Sequence, residues 1–345
     1  MSDDAVTPRP RIHELDAVRG LALCGILVVD IWQITDMSAT VAPGVIDPAR
    51  HVLSVLFEGR FFPIFSFLFG LSFALLLDSA AQRTDRPRLV LARRLVALGV
   101  LGAVHHVFQP GEALLPYAMA GLVILLPAAG LPRWTLLIAA AAGTVGVALT
   151  LGGGLGLVPG LFLLGLAADR FGILDQLRDR GRLLALAFAV SSPAAVFAGM
   201  WEFRTPYLEL WTSVVAPVAG LLGALAYLTG FLLFLRTDTG ELCSEVLEPM
   251  GRMALTNYVS ATALILVADP WLGLSGSTRY GSLLGSAAAI IVVQALFSYY
   301  WLRWFRYGPI EWIWRCLTWW QLVPNRCTRD ERRQRAGMAG VPQRW

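Results

Sequence analysis

The chain has 345 residues and a formal net charge of +4, and 56% of its residues are hydrophobic while only 15% are charged. This composition excludes an ordinary soluble domain and is typical of a helical bundle in lipid. The basic residues fall in the gaps between apolar stretches, so the positive charge does not indicate a nucleic-acid partner, and none is expected.

Ten apolar stretches follow one another along the chain, and most approach the ~20 residues that a helix needs to cross a ~30 Å hydrocarbon core. Their ranges are roughly 16–37, 52–77, 89–108, 112–130, 134–151, 152–168, 183–200, 211–235, 253–274 and 281–303. The sixth is short and rich in glycine. We therefore predict an all-α, polytopic helical membrane protein with about ten transmembrane helices.

The arginines orient these helices. If the N-terminus is cytoplasmic, the arginine-rich gaps at 83–94 and 170–182 lie inside, whereas the outer gaps hold only Arg50, Arg204 and Arg279. This positive-inside bias predicts two cytoplasmic termini and a multi-pass protein of the cell inner (plasma) membrane, with the lipid bilayer as its main partner. Acidic residues precede the first stretch and no small-residue cleavage site follows it at the right distance, so it is predicted to be a span rather than a signal peptide.

The predicted domains are a transmembrane bundle over 1–320 and a basic, flexible cytoplasmic tail over 321–345. The bundle is expected to end in an interfacial helix at 308–320, where the run GPIEWIWRCLTWW places tryptophans beside a glutamate and an arginine. The four cysteines are scattered and show no metal-ligand spacing. We therefore expect neither a metal site nor a bound cofactor.

Polar side chains inside spans are costly, and they are by default candidates for function. A rise of ~1.5 Å per residue places Asp30 roughly 21 Å up the first span, His105 roughly 16 Å up the third and Arg60 roughly 13 Å down the second from outside. Glu112 and Tyr117 begin the fourth span on the same outer side. The five residues are predicted to form an outward-opening polar pocket. The structural alternative is that Arg60 pairs with Asp30 or Glu112 and that His105 only forms a hydrogen bond within the packing.

A second polar set is predicted at the inner face, at the start of the first and ninth spans and at the end of the tenth. It consists of Asp16, Arg19, Arg252, Thr256, Asn257, Tyr258, Arg303 and Arg306. An arginine-rich inner rim is also what the positive-inside bias alone would produce. Asn257 is harder to explain in that way, because an amide inside a span requires hydrogen-bond partners.

Several sequence blocks carry a family resemblance. They are LDAVRGLALCGILVVD at 15–30, RFFPIFSFLFGLSF at 60–73, LGAVH at 101–105 followed by GEALLPYAMAGL at 111–122, GRMALTNY at 251–258 and WLRWFRYGPIEWIWRCLT at 301–318. These blocks resemble the YeiB family of bacterial inner-membrane proteins. The resemblance covers almost the whole chain in the same order. The LDxxRG opening is also similar to that of membrane acyltransferases of the heparan-α-glucosaminide N-acetyltransferase type.

The second resemblance implies transfer of an acyl group from cytosolic acyl-CoA to a hydroxyl or amine on the far side of the membrane. His105 matches the histidine that the YeiB family has after its third span. The chain departs from the family pattern elsewhere: Gly111 and Glu112 replace a GD pair, Asp30 stands where asparagine is frequent, and Ala261 stands where glutamine is common.

The leading hypothesis is therefore a transmembrane acyltransferase with acyl-CoA as its co-substrate and a small molecule or glycan as acceptor. His105 is expected to act as the base, oriented by Asp30 or Glu112, and imidazole titrates near neutral pH. Arg60 and Tyr117 are expected to bind the acceptor. Coenzyme A is expected to bind the inner set through Arg19, Arg252, Asn257, Tyr258 and Arg306, since arginine recognises phosphate by bidentate hydrogen bonds.

The main rival hypothesis is a transporter or permease that uses the same polar pocket for a solute. A scaffold or sensor that presents the tryptophan-rich segment to a partner is the third reading. The absence of two related halves in the sequence modestly favours the enzyme over the transporter.

Overall fold

A computed structural model describes residues 13–42, 45–150, 153–176, 180–210 and 212–328. Within these ranges the protein is all-α apart from a short antiparallel ribbon of β1 (Thr40–Ala42) and β2 (Val45–Ile46). The helices are α1 (His13–Ile34), α2 (Pro48–Phe57), α3 (Phe61–Ala81), α4 (Pro87–His105), α5 (Leu114–Ala120), α6 (Leu126–Ala128), α7 (Arg133–Thr150), α8 (Val158–Arg170), α9 (Ile173–Gln176), α10 (Gly181–Arg204), α11 (Tyr207–Leu210), α12 (Val215–Phe234), α13 (Asp238–Arg252), α14 (Ala254–Leu272), α15 (Tyr280–Trp304) and α16 (Pro309–Trp319). A π-helical turn at Gly121–Leu125 joins α5 to α6, and a 3₁₀ turn at Gly154–Leu157 precedes α8.

Each of the ten predicted stretches contains a helix, but fewer qualify as membrane spans. Of the described helices, six are long and apolar enough to cross a bilayer: α1, α2 together with α3, α7, α10, α12 and α15. The bent pair α13 and α14 raises the number to seven. The helical, membrane-spanning character is thus confirmed, whereas the count of ten is not. Among the remaining predicted spans, α4 carries arginines in its N-terminal half and α8 has only 13 residues.

A break between α2 and α3 positions two charged residues, Glu58 and Arg60. Asp47 caps α2 by accepting hydrogen bonds from the amides of Ala49 and Arg50 at 2.8 and 3.3 Å, and Glu58 follows the last helical turn. The chain then turns at Gly59, whose φ of +73° favours glycine. Arg60 is consequently presented at the start of α3 rather than in the middle of a continuous helix.

Helix α13 lies antiparallel along α1, in the gap between the eighth and ninth predicted spans, which the predicted topology makes a cytoplasmic loop. Gly251 packs against the backbone of Asp16, and Gly20 packs against the backbone of Leu247. Small residues at these points let the two helices approach closely, as is common between membrane helices. The chain then bends by 83° at Met253 and continues as α14.

Residues after α16 return to the bundle as far as the structure describes them. The amide of Arg306 donates to the carbonyl of Asn325 at 2.7 Å, and Trp312 Nε1 donates to the carbonyl of Val323 at 2.7 Å. Residues 329–345 lie outside the described part of the chain. The flexible tail from 321 to 345 therefore stays a prediction.

Candidate functional site

One cavity of about 660 Å³ extends between the two predicted polar sets. Its inner end is lined by Arg19, Arg94, Arg252 and Glu311, and its outer end by Asp30, Glu58 and Glu202. Aromatic and aliphatic side chains line the middle, including Phe61, Phe62, Phe65, Phe69, Leu95, Leu98, Tyr117 and Tyr258. Arg19 and Asp30 are eleven positions apart on α1, which corresponds to a separation of about 16 Å along the helix.

The inner end is built from three arginines on three different helices. Arg19 on α1 pairs with Asp16 and donates to Ser72 Oγ at 2.5 Å. Arg94 on α4 lies with its guanidinium carbon 3.4 Å from the centre of the Trp314 ring, and Trp314 Nε1 donates to the Arg94 carbonyl at 2.8 Å. Arg252, at the end of α13, lies 3.8 Å from Glu248.

Helix α16 closes this end with a carboxylate. Glu311 accepts a hydrogen bond from the amide of Thr256 at 2.9 Å and another from its hydroxyl at 2.5 Å, so it caps the N-terminus of α14. Burial raises the pKa of Glu311, and the hydrogen bonds from Thr256 oppose that shift. The tryptophan-rich helix predicted for 308–320 is thus present, and it contributes both Glu311 and Trp314 to the cavity wall.

The outer end carries a buried ion pair that the sequence did not reveal. Arg60 forms two hydrogen bonds with the carboxylate of Glu202 on α10 and a third, at 2.6 Å, with the carbonyl of Glu58. The side chains of Arg60 and Glu202 are only 4% and 5% exposed. Arg60 therefore pairs with neither Asp30 nor Glu112, the two partners that the sequence suggested for it.

His105 lies beside Glu112, and both differ from Asp30 in their access to the cavity. Asp30 lines it, whereas His105 and Glu112 are buried behind the wall. His105 Nδ1 is 4.0 Å from Glu112 Oε2. Glu112 accepts hydrogen bonds from the amides of Leu114 and Leu115 at 2.5 and 2.9 Å, so it also caps α5.

Two residues that the sequence reading did not single out connect His105 to Asp30. His105 Nε2 lies 2.9 Å from the hydroxyl oxygen of Thr262, and that hydroxyl donates to Gln109 Oε1 at 2.8 Å. The side chain of Gln109 in turn lies within interaction range of the Asp30 carboxyl group. The sequence signal for Thr262 is its spacing. It follows Tyr258 by one helical turn and therefore lies on the same face of α14.

The two predicted tyrosines both line the cavity. The hydroxyl of Tyr117 lies 2.5 Å from Ser66 Oγ, and its ring packs edge-on against Phe69 and Phe162, in the apolar middle rather than at the outer end. The hydroxyl of Tyr258 accepts a hydrogen bond from the amide of Ala113 at 3.2 Å. Its ring centre is 5.3 Å from that of His105.

Asn257 and Arg306, expected at the coenzyme site, lie away from the cavity lining. The side-chain amide of Asn257 donates to the carbonyl of Met250 and to Ser298 Oγ, both at 3.0 Å, and thereby ties the bend after α13 to α15. Arg306 is half-buried near the segment after α16. Arg94, Glu202, Glu311 and Trp314 line the cavity without having been predicted to belong to a site.

Comparison with known proteins places the chain among relatives of similar length. The family described as "Protein of unknown function (DUF418)" matches residues 168–321. An uncharacterized 39.9 kDa protein from the amylase 3' region of Bacillus acidopullulyticus is 32% identical over 333 residues, covering 91% of this chain and 96% of the relative. The uncharacterized protein YeiB of Escherichia coli K12 is 26% identical, covering 88% of this chain and 95% of the relative.

A third relative, the uncharacterized protein YxaH of Bacillus subtilis 168, is 24% identical and covers 92% of this chain and 96% of its own length. None of these three names states an activity, and the similarity to acyltransferases stays a prediction. The chain belongs to a YeiB-like family, and its residues 168–321 match the DUF418 model.

Proposed function

We propose that the protein transfers an acyl group across the membrane, from cytosolic acyl-CoA to a hydroxyl or amine acceptor at the outer face. The observation that carries the proposal is the single cavity that joins three arginines at its inner end to a buried carboxylate, Asp30, at its outer end. An enzyme of this kind needs a cationic site for the coenzyme phosphates, a narrow route for the acyl-bearing arm and a base beside the acceptor. The cavity offers all three in that order.

The inner end is the proposed donor site. Arg19, Arg94 and Arg252 present guanidinium groups to one space, and arginine is the side chain best suited to bidentate recognition of phosphate. The apolar middle suits the uncharged pantetheine arm and its thioester. The spacing of about 16 Å between Arg19 and Asp30 along α1 is comparable with the reach of that arm when extended.

Asp30 is the proposed catalytic base, because it is the titratable group of the His105, Asp30 and Glu112 set that lines the cavity. In the reaction, the acceptor oxygen or nitrogen gives its proton to Asp30 as it bonds to the thioester carbonyl carbon. The carbon–sulfur bond then breaks, and coenzyme A leaves as a thiolate that takes up a proton. His105 and Glu112 lie behind Asp30 and do not contact the acceptor. Arg60 fixes Glu202 at the outer wall beside the acceptor, and Tyr117 borders the pantetheine arm.

The proposal places the protein in the cytoplasmic membrane, with the arginine end facing the cytosol where acyl-CoA is available. The arginine bias of the loops supports this orientation. The acceptor would then enter from the outer side, where Asp30, Glu58 and Glu202 line the cavity.

Donor binding tests the proposal directly. The purified full chain is titrated with acetyl-CoA and with longer acyl-CoAs in a thermal-shift assay, as the parent protein and as Arg252→Gln and Arg19→Gln. Each variant is expected to bind about ten- to a hundredfold more weakly, because a hydrogen bond to a charged group contributes about 1.5–3 kcal/mol. Arg306→Gln, outside the cavity lining, is the matched control and is expected to bind like the parent. Equal affinity in all four proteins would remove the donor site.

A solute transporter is the second candidate, and the 83° bend between α13 and α14 is the observation that favours it. Discontinuous helices beside a binding site recur in transporters, and Gly251, Arg252 and Ala254 around this bend line the cavity. A transporter of an unrelated solute would show no saturable stabilisation by acyl-CoA in the same titration.

A further inference from the structure

A buried row of polar side chains stands directly behind Asp30 and takes no part in lining the cavity. Thr262, Gln109 and His105 are 2%, 1% and 4% exposed, respectively. They come from α14, from the loop after α4 and from the end of α4, so the fold brings them together from separate parts of the chain. Polar groups buried to this degree are costly unless each has a partner.

The hydrogen bonds in this row run in one direction. The hydroxyl hydrogen of Thr262 is committed to Gln109 Oε1, so the hydroxyl oxygen is left to accept the Nε2 hydrogen of His105. Gln109 accepts through its oxygen, which turns its amide nitrogen away from Thr262. That nitrogen has no hydrogen bond of normal geometry to any described residue. The Gln109 side chain lies beside the Asp30 carboxyl group, and since its oxygen is taken by Thr262, this nitrogen is the donor it can offer there.

The far end of the row is defined as well. With Nε2 donating, Nδ1 of His105 faces Glu112 Oε2 at 4.0 Å and has no hydrogen-bond partner among the described side chains. Glu112 is fixed by the amides of Leu114 and Leu115. The imidazole therefore lies between a carboxylate that accepts from two amides and a hydroxyl oxygen that accepts from Nε2.

We infer that Gln109 and Thr262 are positioning residues for Asp30. Together with His105 they form a one-way chain of donors that directs the Gln109 amide to the Asp30 carboxylate, holds that carboxylate turned toward the cavity and favours its charged form. The inference rests on the proposed function for its purpose, since Asp30 is the base in that reaction. The hydrogen-bond arrangement itself can be tested without an acyl donor or an acyl acceptor.

The test uses N,N′-dicyclohexylcarbodiimide on the purified full chain in detergent at one fixed pH. A protonated carboxyl adds to this reagent: its oxygen bonds to the central carbon and its proton passes to a nitrogen, with no leaving group. Peptide mass mapping gives the labelling rate at Asp30, and Asp30→Asn identifies the labelled site. Thr262→Val keeps the side-chain shape but frees Gln109 to turn, so labelling of Asp30 is expected to rise about tenfold, the factor produced by about 1.4 kcal/mol.

Two controls separate positioning from a general loosening of the bundle. Thr262→Ser restores the hydroxyl and is expected to label Asp30 at the parent rate. Ser66→Ala removes another buried hydroxyl, the partner of Tyr117, and is expected to leave Asp30 labelling unchanged. Equal Asp30 labelling in Thr262→Val and Thr262→Ser would overturn the inference, and so would a similar rise in Ser66→Ala or no labelling of Asp30 in any variant. The labelling test contains no acyl-CoA. The positioning role of Gln109 and Thr262 can therefore be confirmed while the acyl-transfer proposal fails, and acyl transfer can be confirmed while the positioning role fails.

Discussion

At the residue scale, the buried charges of this protein are organised in pairs and caps. Arg60 is satisfied by Glu202 and by the carbonyl of Glu58, while Glu112 and Glu311 accept amide hydrogens at the starts of α5 and α14. Asp30 differs, because the described residues supply it with no ion pair and it lines the cavity. That contrast is the reason for placing the chemistry at Asp30.

The Arg60 and Glu202 pair makes a stability prediction. Arg60→Met or Glu202→Met leaves one charge buried without its partner, and each is expected to lower the free energy of unfolding by about 3–5 kcal/mol. The double variant removes both charges and is expected to lose much less than the sum. Unfolding in detergent, followed by tryptophan fluorescence, measures all three. Glu209→Gln, at an exposed position, is the control, and single variants as stable as this control would contradict the buried pair.

The sequence predicted part of this site from the depth of residues along their helices. Asp30, His105 and Glu112 were expected near one another, and the structure places His105 beside Glu112 while Asp30 lines the cavity. Depth does not reveal which way a side chain points around its helix, so the partner of Arg60 was not predictable from it. Thr262 and Gln109 were missed because neither is charged, although a polar side chain one turn from Tyr258 was a usable signal.

At the element scale, the fold depends on a helix that the sequence reading did not predict. Residues 238–252 contain four acidic side chains and read as a cytoplasmic loop, yet they form α13 against α1. The helix is amphipathic, with Leu247 and Met250 buried and the acidic residues outward or half-buried. This helix is stabilised by packing against α1, whereas the spans were predicted from the length of their apolar stretches.

The contact between α1 and α13 can be tested through its glycines. A Cβ at Gly251 would overlap the backbone carbonyl of Asp16, which cannot move aside, so Gly251→Ala is expected to destabilise the protein by at least about 1–3 kcal/mol. Gly285 on α15 has open space around it, and Gly285→Ala is expected to be neutral or to stabilise by about 0.5–1 kcal/mol. Thermal unfolding of the two variants side by side checks both. Equal midpoints would argue against close packing of α13 on α1.

At the scale of the whole molecule, the sequence indicated an inner and an outer polar set but not their connection. Composition and the arginine bias predicted a helical membrane protein, because lipid imposes strong constraints on both. A cavity between helices depends on how aromatic side chains such as Phe61, Phe65 and Phe69 pack across the bundle, and periodicity carries no such information. The count of ten spans is not confirmed, because some predicted stretches contain only a short helix, such as α8 with 13 residues, that does not qualify as a membrane span by length and composition.

The central claim is that one cavity carries the acyl group from the inner arginines to Asp30, and photoaffinity labelling tests it most directly. An acyl-CoA with a diazirine on its acyl chain is added to the purified full chain, illuminated, and the attachment sites are mapped with and without excess coenzyme A. The account predicts labelling of residues that line the outer half, Asp30 and the segment 57–62 on α2 and α3, and suppression of that labelling by coenzyme A. Labelling that coenzyme A does not suppress, or that is confined to lipid-facing surfaces of α10 and α15, would contradict it.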